Sequence, residues 1–144
     1  MAEKINAAPT RRKRSLEIPG VTHGNTPIPA GARVGPVIWS SGISGKDPLS
    51  GTLPASAEEQ VRHAFQNLRT LVEAGGGALQ DIVRITVFLK DGSLRPLVNG
   101  PWTELFPDPE DRPARHAVLA DLQGDMLIQL EVVAVVQDST QDSG

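Results

Sequence analysis

Two polar side chains lie two positions apart in the last apolar stretch of the chain. Gln129 and Glu131 fall within residues 126–136, which are otherwise apolar and are predicted to form a strand. Side chains alternate between the two faces of a strand, so both point to the same face. A carboxylate on such a face needs a partner or a cleft. Gln129 and Glu131 are therefore the first candidates for chemistry.

A basic side chain opens the strand before them. Arg115 follows the residues RPA at 112–114 and begins a predicted strand over 115–119. A basic group near the start of one strand and Glu131 within the next would suit a shared functional site. They would equally suit a plain Arg–Glu ion pair that holds the two strands together. The residue types alone leave both alternatives open.

The composition excludes several classes of chemistry. The chain has 144 residues and no cysteine, which rules out disulfides, thiolate catalysis, iron–sulfur clusters and cysteine-bound zinc. It has only three histidines, His23, His63 and His116, and no HExxH motif. We therefore predict no metal and no cofactor. No stretch approaches the roughly 20 apolar residues of a membrane span.

The charge is unevenly divided along the chain. Residues 1–20 carry five basic and two acidic side chains, and the rest carries nine basic and fifteen acidic ones. An acidic body argues against nucleic acid as a partner. The run TRRKRSL at 10–16 resembles a twin-arginine export signal without the apolar region that must follow, so we predict a cytoplasmic protein. We expect a basic disordered arm over 1–20, one domain over 21–138 and a polar tail over 139–144.

The order of predicted elements indicates an α+β fold. The elements are an edge strand at 15–18, a loop at 23–35, a strand at 37–41, a turn at 47–51, a helix from the Ser56–Glu59 capping box to the glycines at 75–77, a strand at 82–89, a helix at 94–105 and strands at 115–119 and 126–136. Pro101 marks either the first turn of a shorter second helix or a kink. This order predicts a mixed sheet with two helices on one face. Because the last strand is apolar on both faces, we expect another subunit to cover the other face.

The motifs together are similar to those of one family. They are RPAR at 112–115, IQLEVVA at 128–134, SG at 41–42, DPLSG at 47–51, EQ at 59–60, NL at 67–68, IVRITVFLKD at 82–91 and VN at 98–99. In this combination the chain resembles the Rid/YjgF family over about residues 23–137. These proteins are reactive-intermediate imine deaminases, formerly labelled L-PSP endoribonucleases.

The resemblance implies a fold, an assembly and a site. It implies a chorismate-mutase-like domain and a homotrimer whose sheets form a central barrel, with three clefts between subunits. In the deaminases the motif arginine binds the substrate carboxylate, and that role would fall to Arg115. Backbone groups at Gly42 and Ala117, and the side chain of Asn99, would line the same cleft.

The chain departs from the family at two places. Typical deaminases read Ile-Glu-Ile-Glu-Ala, and the first glutamate positions or activates the attacking water. Gln129 stands there; it can orient a water but cannot take its proton, so that role lapses unless Glu131 replaces it. The family's early Pro-Tyr-Ser motif is also missing, and HGNTPIP occupies residues 23–29. His23 is then either a replacement acid–base group or a hydrogen-bonding loop residue.

Three further side chains are expected to have structural roles. His116 alternates to the face opposite Arg115, which favours packing. His63 lies near the polar side of the first helix and is expected to face solvent. Trp102 is expected to pack in a subunit interface rather than to form a platform for a ligand.

Two classes of function follow from these residues. The first is a deaminase that hydrolyses a small carboxylate-bearing imine or enamine of the 2-iminobutanoate or 2-iminopropanoate type, with Arg115 as anchor and Gln129 and Glu131 managing the water. The second is a metabolite-binding or regulatory trimer without catalysis, which the missing glutamate favours. Ribonuclease activity rests only on the older family label, and the acidic body and scarce aromatic residues weigh against it.

Overall fold

A computed structural model of the chain describes residues 12–137. The strands are β1 (Ser15–Leu16), β2 (Gly31–Val34), β3 (Val37–Ser40), β4 (Ile43–Ser44), β5 (Ile82–Leu89), β6 (Ala114–Leu119) and β7 (Ile128–Val135), and the helices are α1 (Ala57–Ala74) and α2 (Arg95–Leu105). The predicted tail at 139–144 and the part of the predicted arm before residue 12 lie outside the described residues.

One mixed sheet carries the site residues. Its strand order is β1-β2-β3-β7-β5-β6, and β4 pairs with β7 beside β3. All neighbouring strands are antiparallel except β5 and β6, which are parallel and are joined through α2. This arrangement confirms the predicted α+β fold with a mixed sheet and two helices.

Both helices pack on the same face of the sheet. On β7, every second residue from Ile128 to Ala134 is fully buried under the helices, while the residues between them are only half-buried. The predicted apolar face of α1 is buried, and Ser56 caps its first turn by accepting a hydrogen bond from the Glu59 amide at 3.3 Å. Gly75 ends the helix, as predicted.

Two buried polar side chains of α1 were not foreseen. The Gln60 amide donates to Pro54 O and Asp125 O and accepts from the Leu127 amide, at 2.9–3.0 Å. Asn67 donates to the carbonyl oxygens of Ser44 and Lys46 at 3.0 and 2.9 Å. These hydrogen bonds compensate for the burial of the two amide groups, and α1 thereby holds the loop that follows β4 and the loop that precedes β7.

The N-terminal third contains more regular structure than expected. Gly31–Val34 forms β2 of a hairpin, where the glycine and proline content predicted a loop. Gly31 packs closely against Leu71 there, and a Cβ at this position would displace the Leu71 side chain. Leu16 and Ile18 are buried in the core, so the packed part of the chain begins before residue 21, the predicted boundary.

Helix α2 begins after a short turn at Gly92–Leu94, where the Asp91 carboxylate accepts from the Ser93 amide at 2.8 Å. This hydrogen bond holds the pKa of Asp91 below its usual range. Pro101 lies in the interior of α2, so it does not mark the first turn of a shorter helix; Pro96 occupies the first turn. No helix within residues 12–137 is long and apolar enough to cross a membrane.

The face of the sheet opposite the helices, called here the outer face, is not covered by any helix of residues 12–137. It includes the apolar side chains of Val37 and Trp39 on β3 and of Val133 and Val135 on β7, which are paired in register. Trp39 is 60% exposed. An apolar patch of this kind marks an interaction surface.

Candidate active site

Arg115 lies on the helix side of the sheet. It is aligned with Ile85 in the parallel β5–β6 pair, and Ile85 is fully buried beneath the helices. The Arg115 guanidinium lies 4.9 Å from the centre of the Trp102 ring and donates from Nη2 to Asn99 Oδ1 at 3.0 Å. A ring face and an amide oxygen from α2 therefore orient the guanidinium, although the side chain is exposed.

Trp102 differs from its predicted role. It is only 8% exposed within a single chain, because it packs against Phe106 with the ring centres 5.0 Å apart and against Arg115. Asn99 and Trp102 are three residues apart on α2 and so lie on one side of the helix. Sequence reasoning missed Trp102 as a support for Arg115, although an aromatic residue three positions after Asn99 was a usable signal.

A recess of about 50 Å³ adjoins this guanidinium and is called here the arginine site. Ala117 lines it together with Arg115, as two positions along one strand require. The other lining residues are Val87, Leu89, Arg95 and Val98. The structure thus brings together three of the predicted site residues: Arg115, Asn99 and Ala117.

A second group of predicted residues lies around a separate cleft of about 260 Å³, called here the histidine cleft. His23 Nε2 is hydrogen-bonded to the carbonyl oxygen of Gly42 at 3.0 Å, and Gln129 lies on the cleft wall. Next to Gly42, the Ser41 hydroxyl donates to Pro29 O at 2.9 Å. These two hydrogen bonds hold the loop after His23 against the β3–β4 connection.

Gly42 lies in close contact with the side chain of Gln129. A Cβ at position 42 would overlap the side-chain amide of Gln129. The absence of a side chain lets the amide lie directly against the backbone that also binds His23. His23, Gly42 and Gln129 therefore form one packed unit.

Glu131 lies on the outer face, one side-chain repeat along β7 from Gln129. Its backbone pairs in register with Thr86, and its side chain has no hydrogen-bond or ion-pair partner among residues 12–137. It does not line the histidine cleft. Arg115 on β6 lies on the opposite face, and β5 separates β6 from β7. The hypothesis of an Arg–Glu ion pair within one chain is therefore wrong.

The remaining histidines occupy two different environments. His116 pairs in register with Thr86 and faces away from Arg115, as predicted, but it is exposed in the single chain. His63 is half-buried rather than solvent-facing, and its Nδ1 atom is buried without a hydrogen-bond partner among the described residues. Within residues 12–137, no group of three or more His, Cys, Asp or Glu side chains could hold a metal ion.

Comparison with known proteins finds the same fold and family. The family model described as endoribonuclease L-PSP matches residues 27–136. The 2-iminobutanoate/2-iminopropanoate deaminase of Escherichia coli K12 is 35% identical over 111 residues, which are 76% of this chain and 87% of that protein.

Two solved structures show the fold likeness. The YjgF gene product of E. coli has a TM-score of 0.77 and 30% identity, covering 86% of this chain and 99% of that one. RidA from the Antarctic bacterium Psychrobacter sp. has a TM-score of 0.77 and 26% identity, covering 86% and 100%. The family-model match over residues 27–136 includes the arginine site and, in the histidine cleft, Gly42 and Gln129, but it begins after His23. The chain therefore belongs to the endoribonuclease L-PSP family, also known as the Rid/YjgF family.

Proposed function

We propose that this protein is an imine deaminase that acts as a homotrimer. Its substrate is a small 2-imino acid of the 2-iminobutanoate or 2-iminopropanoate type, and its products are ammonia and a 2-oxo acid. The observation that carries the proposal is the guanidinium of Arg115, oriented by Trp102 and Asn99 beside a recess. The similarity to a named deaminase supports the same reaction.

The arginine site supplies carboxylate recognition. An arginine has five N–H donors in a planar fork, and one nitrogen of Arg115 is engaged with Asn99. The remaining donors are available for the two oxygens of a substrate carboxylate. Because the guanidinium is already oriented, little side-chain entropy is lost when the carboxylate binds.

The histidine cleft supplies the water side of the reaction. Gln129 holds the attacking water by hydrogen bonds, and the carbonyl of Gly42 lies beside it. An amide cannot accept the proton that this water must lose. Glu131 and His23 are the two candidate bases. Substitution of the residue that acts as the base should lower the rate of hydrolysis, and substitution of the other should change it little.

In this proposal the arginine site and the histidine cleft that form one active site come from different copies of the chain. Arg115 and Gln129 lie on opposite faces of one sheet, so one chain cannot present both to a small molecule. The uncovered apolar outer face with Trp39 and Val133 gives the surface on which copies associate. A cleft between neighbouring copies joins the arginine site of one to the histidine cleft of the next.

The test is ammonia release from imino acids generated immediately before the assay. We expect hydrolysis of 2-iminobutanoate and 2-iminopropanoate, lost in Arg115→Ala and retained in the matched control Arg69→Ala. Arg69 is an exposed residue of α1 that pairs only with Glu73 in the described chain. Binding of 2-oxobutanoate without any turnover would instead support the second function, a metabolite-binding or regulatory trimer, which Gln129 favours.

Mixing two inactive variants tests the sharing of the site. Arg115→Ala and His23→Gln subunits are denatured together and refolded. If the arginine and the histidine of one site come from different copies, about one site in four has both native residues after random assembly. A site within one chain would always carry one of the two substitutions, and the mixture would stay inactive.

A further inference from the structure

We infer that His23 is the group that transfers protons in the histidine cleft, in place of the carboxylate that Gln129 lacks. This inference rests on the proposed function. It depends on the hydrogen bond of the imidazole, on the charged groups that line the cleft and on the way the loop around His23 is held.

The hydrogen bond to Gly42 decides which ring nitrogen carries the proton. A carbonyl oxygen only accepts hydrogen bonds, so Nε2 of His23 must be the N–H that donates to Gly42 O at 3.0 Å. In the neutral ring the other nitrogen, Nδ1, is then an unprotonated acceptor. No hydrogen bond occupies Nδ1 among residues 12–137. The neutral imidazole is thus fixed in the tautomer that leaves a base exposed.

The lining of the cleft offers no other base. Its side chains come from the loop after β1, from β4 and Lys46, from the 123–126 loop and from β7. Lys46 is the only other charged residue among them, and its Nζ donates to Thr22 O at 3.3 Å. No carboxylate from residues 12–137 lines the cleft, and the Gln129 amide does not titrate. Among the lining residues that the structure describes, His23 is therefore the only one with an uncharged basic nitrogen.

Two hydrogen bonds of His23, one from its backbone and one from its side chain, hold the segment around it. The Thr26 amide donates to His23 O at 3.1 Å, and the imidazole itself is tied to Gly42. Gly42 in turn lies against Gln129. The base and the water-holding amide are thus positioned by the same backbone group, as efficient proton transfer requires.

The reaction can then be written with His23 at each proton transfer. As water attacks the carbon of the protonated imine, the C–O bond forms, the C=N electron pair moves to nitrogen, and Nδ1 takes a proton from the water. The imidazolium returns that proton to the amine nitrogen. The C–N bond then breaks, ammonia leaves, and the hydroxyl proton passes to Nδ1 as the carbonyl forms. Nδ1 gives that proton to the departing ammonia, so His23 is neutral again and the net change is protonated imine plus water to ketone plus ammonium.

The first experiment compares His23→Gln with His63→Gln. Glutamine keeps an N–H able to donate to Gly42 O but has no titratable nitrogen, whereas His63 lies on α1 outside the cleft. We expect His23→Gln to lower kcat about 10²- to 10⁴-fold with little change in KM. The native enzyme and His63→Gln should lose kcat/KM in acid, and His23→Gln should lack that acidic limb. Equal kcat and an unchanged pH profile in His23→Gln would overturn the inference.

A second measurement does not depend on turnover. Ring nitrogen resonances in ¹⁵N NMR at pH 8 should show His23 protonated at Nε2 and unprotonated at Nδ1, and 2-oxobutanoate should shift the Nδ1 signal. The opposite tautomer, or an Nδ1 signal that does not respond, would overturn the role of His23 alone if ammonia release persists. If ammonia release is also absent from the native protein, the proposed function fails with it.

Discussion

Arg115 and Gln129 lie on opposite faces of one sheet. Both residues pair with the central strand β5. Arg115 pairs with Ile85 and lies on the helix-covered face, whereas Gln129 pairs with Phe88 and lies on the outer face. The two residues that the family motifs place in one site are therefore separated by the sheet itself. Their cooperation requires a second copy of the chain, and the predictions below follow from this division.

Removal of the guanidinium should weaken carboxylate binding without unfolding the protein. A charge-assisted hydrogen bond is worth roughly 1.5–3 kcal/mol, so Arg115→Ala should weaken the binding of 2-oxobutanoate about 10- to 150-fold. The exposed side chain makes no ion pair with Glu131 across the sheet. Calorimetric titration and thermal melting test this together. A mutant that melts early yet binds normally would contradict the anchor role.

The Trp102 ring should act through Arg115. A cation–π contact at an exposed cation contributes about 0.5–1 kcal/mol, so Trp102→Leu should raise KM about two- to fivefold through this contact alone. Trp102→Phe retains a ring face and is the matched variant. If both substitutions raise KM equally while stability falls equally, the ring has only a packing role.

Substitutions at 129 and 131 distinguish the two candidate bases. Gln129→Glu restores a carboxylate to the wall of the histidine cleft, and a positioned base contributes about 10²–10⁴ in rate. Because His23 already supplies a base in the native protein, we expect Gln129→Glu to recover much of the rate that His23→Gln loses when the two substitutions are combined. Glu131→Gln should change the rate little, because Glu131 does not line the cleft. A large loss in Glu131→Gln would identify Glu131 as the base instead of His23.

A methyl group at Gly42 should displace Gln129. The added Cβ overlaps the Gln129 amide, so Gly42→Ala should lower turnover more than it lowers the melting temperature. Gly100→Ala is the control, because a Cβ at that helical position meets nothing within 4 Å. Turnover and melting curves of the two variants give the comparison. Unchanged turnover in Gly42→Ala would separate Gln129 from the reaction.

The outer face should control assembly. We expect sedimentation to give about three times the 15.3 kDa mass of one chain. Trp39→Lys puts a charge on the most exposed part of this apolar face and should yield monomers. The inactive monomer should retain its helical circular dichroism. A native protein that sediments as a stable monomer at micromolar concentration would contradict the shared site.

Local pattern was sufficient for the main elements of the fold. The alternation of apolar residues in β7 and the Ser56 cap of α1 are short-range signals, and both elements were predicted at nearly their observed positions. Strand β2 escaped prediction because the glycines and prolines of residues 23–35 around it favour a loop. Pairing with β3 and packing of Gly31 against Leu71 decide that strand, and both are contacts made only in the folded chain.

The candidate site, like the fold, was predicted from the sequence only in part. Sequence alone determined which residues are present: the Arg115 motif, the glutamine at 129 in place of a glutamate, and the absence of cysteine. Only the tertiary structure decided their grouping. The parallel β5–β6 register turns Arg115 toward Trp102, and the β4–β7 pairing brings Gln129 to Gly42 and His23. Strand register decides which side chains become neighbours. The register between strands that are distant in the chain depends on how both strands pack in the sheet, and the residues of one strand do not specify it.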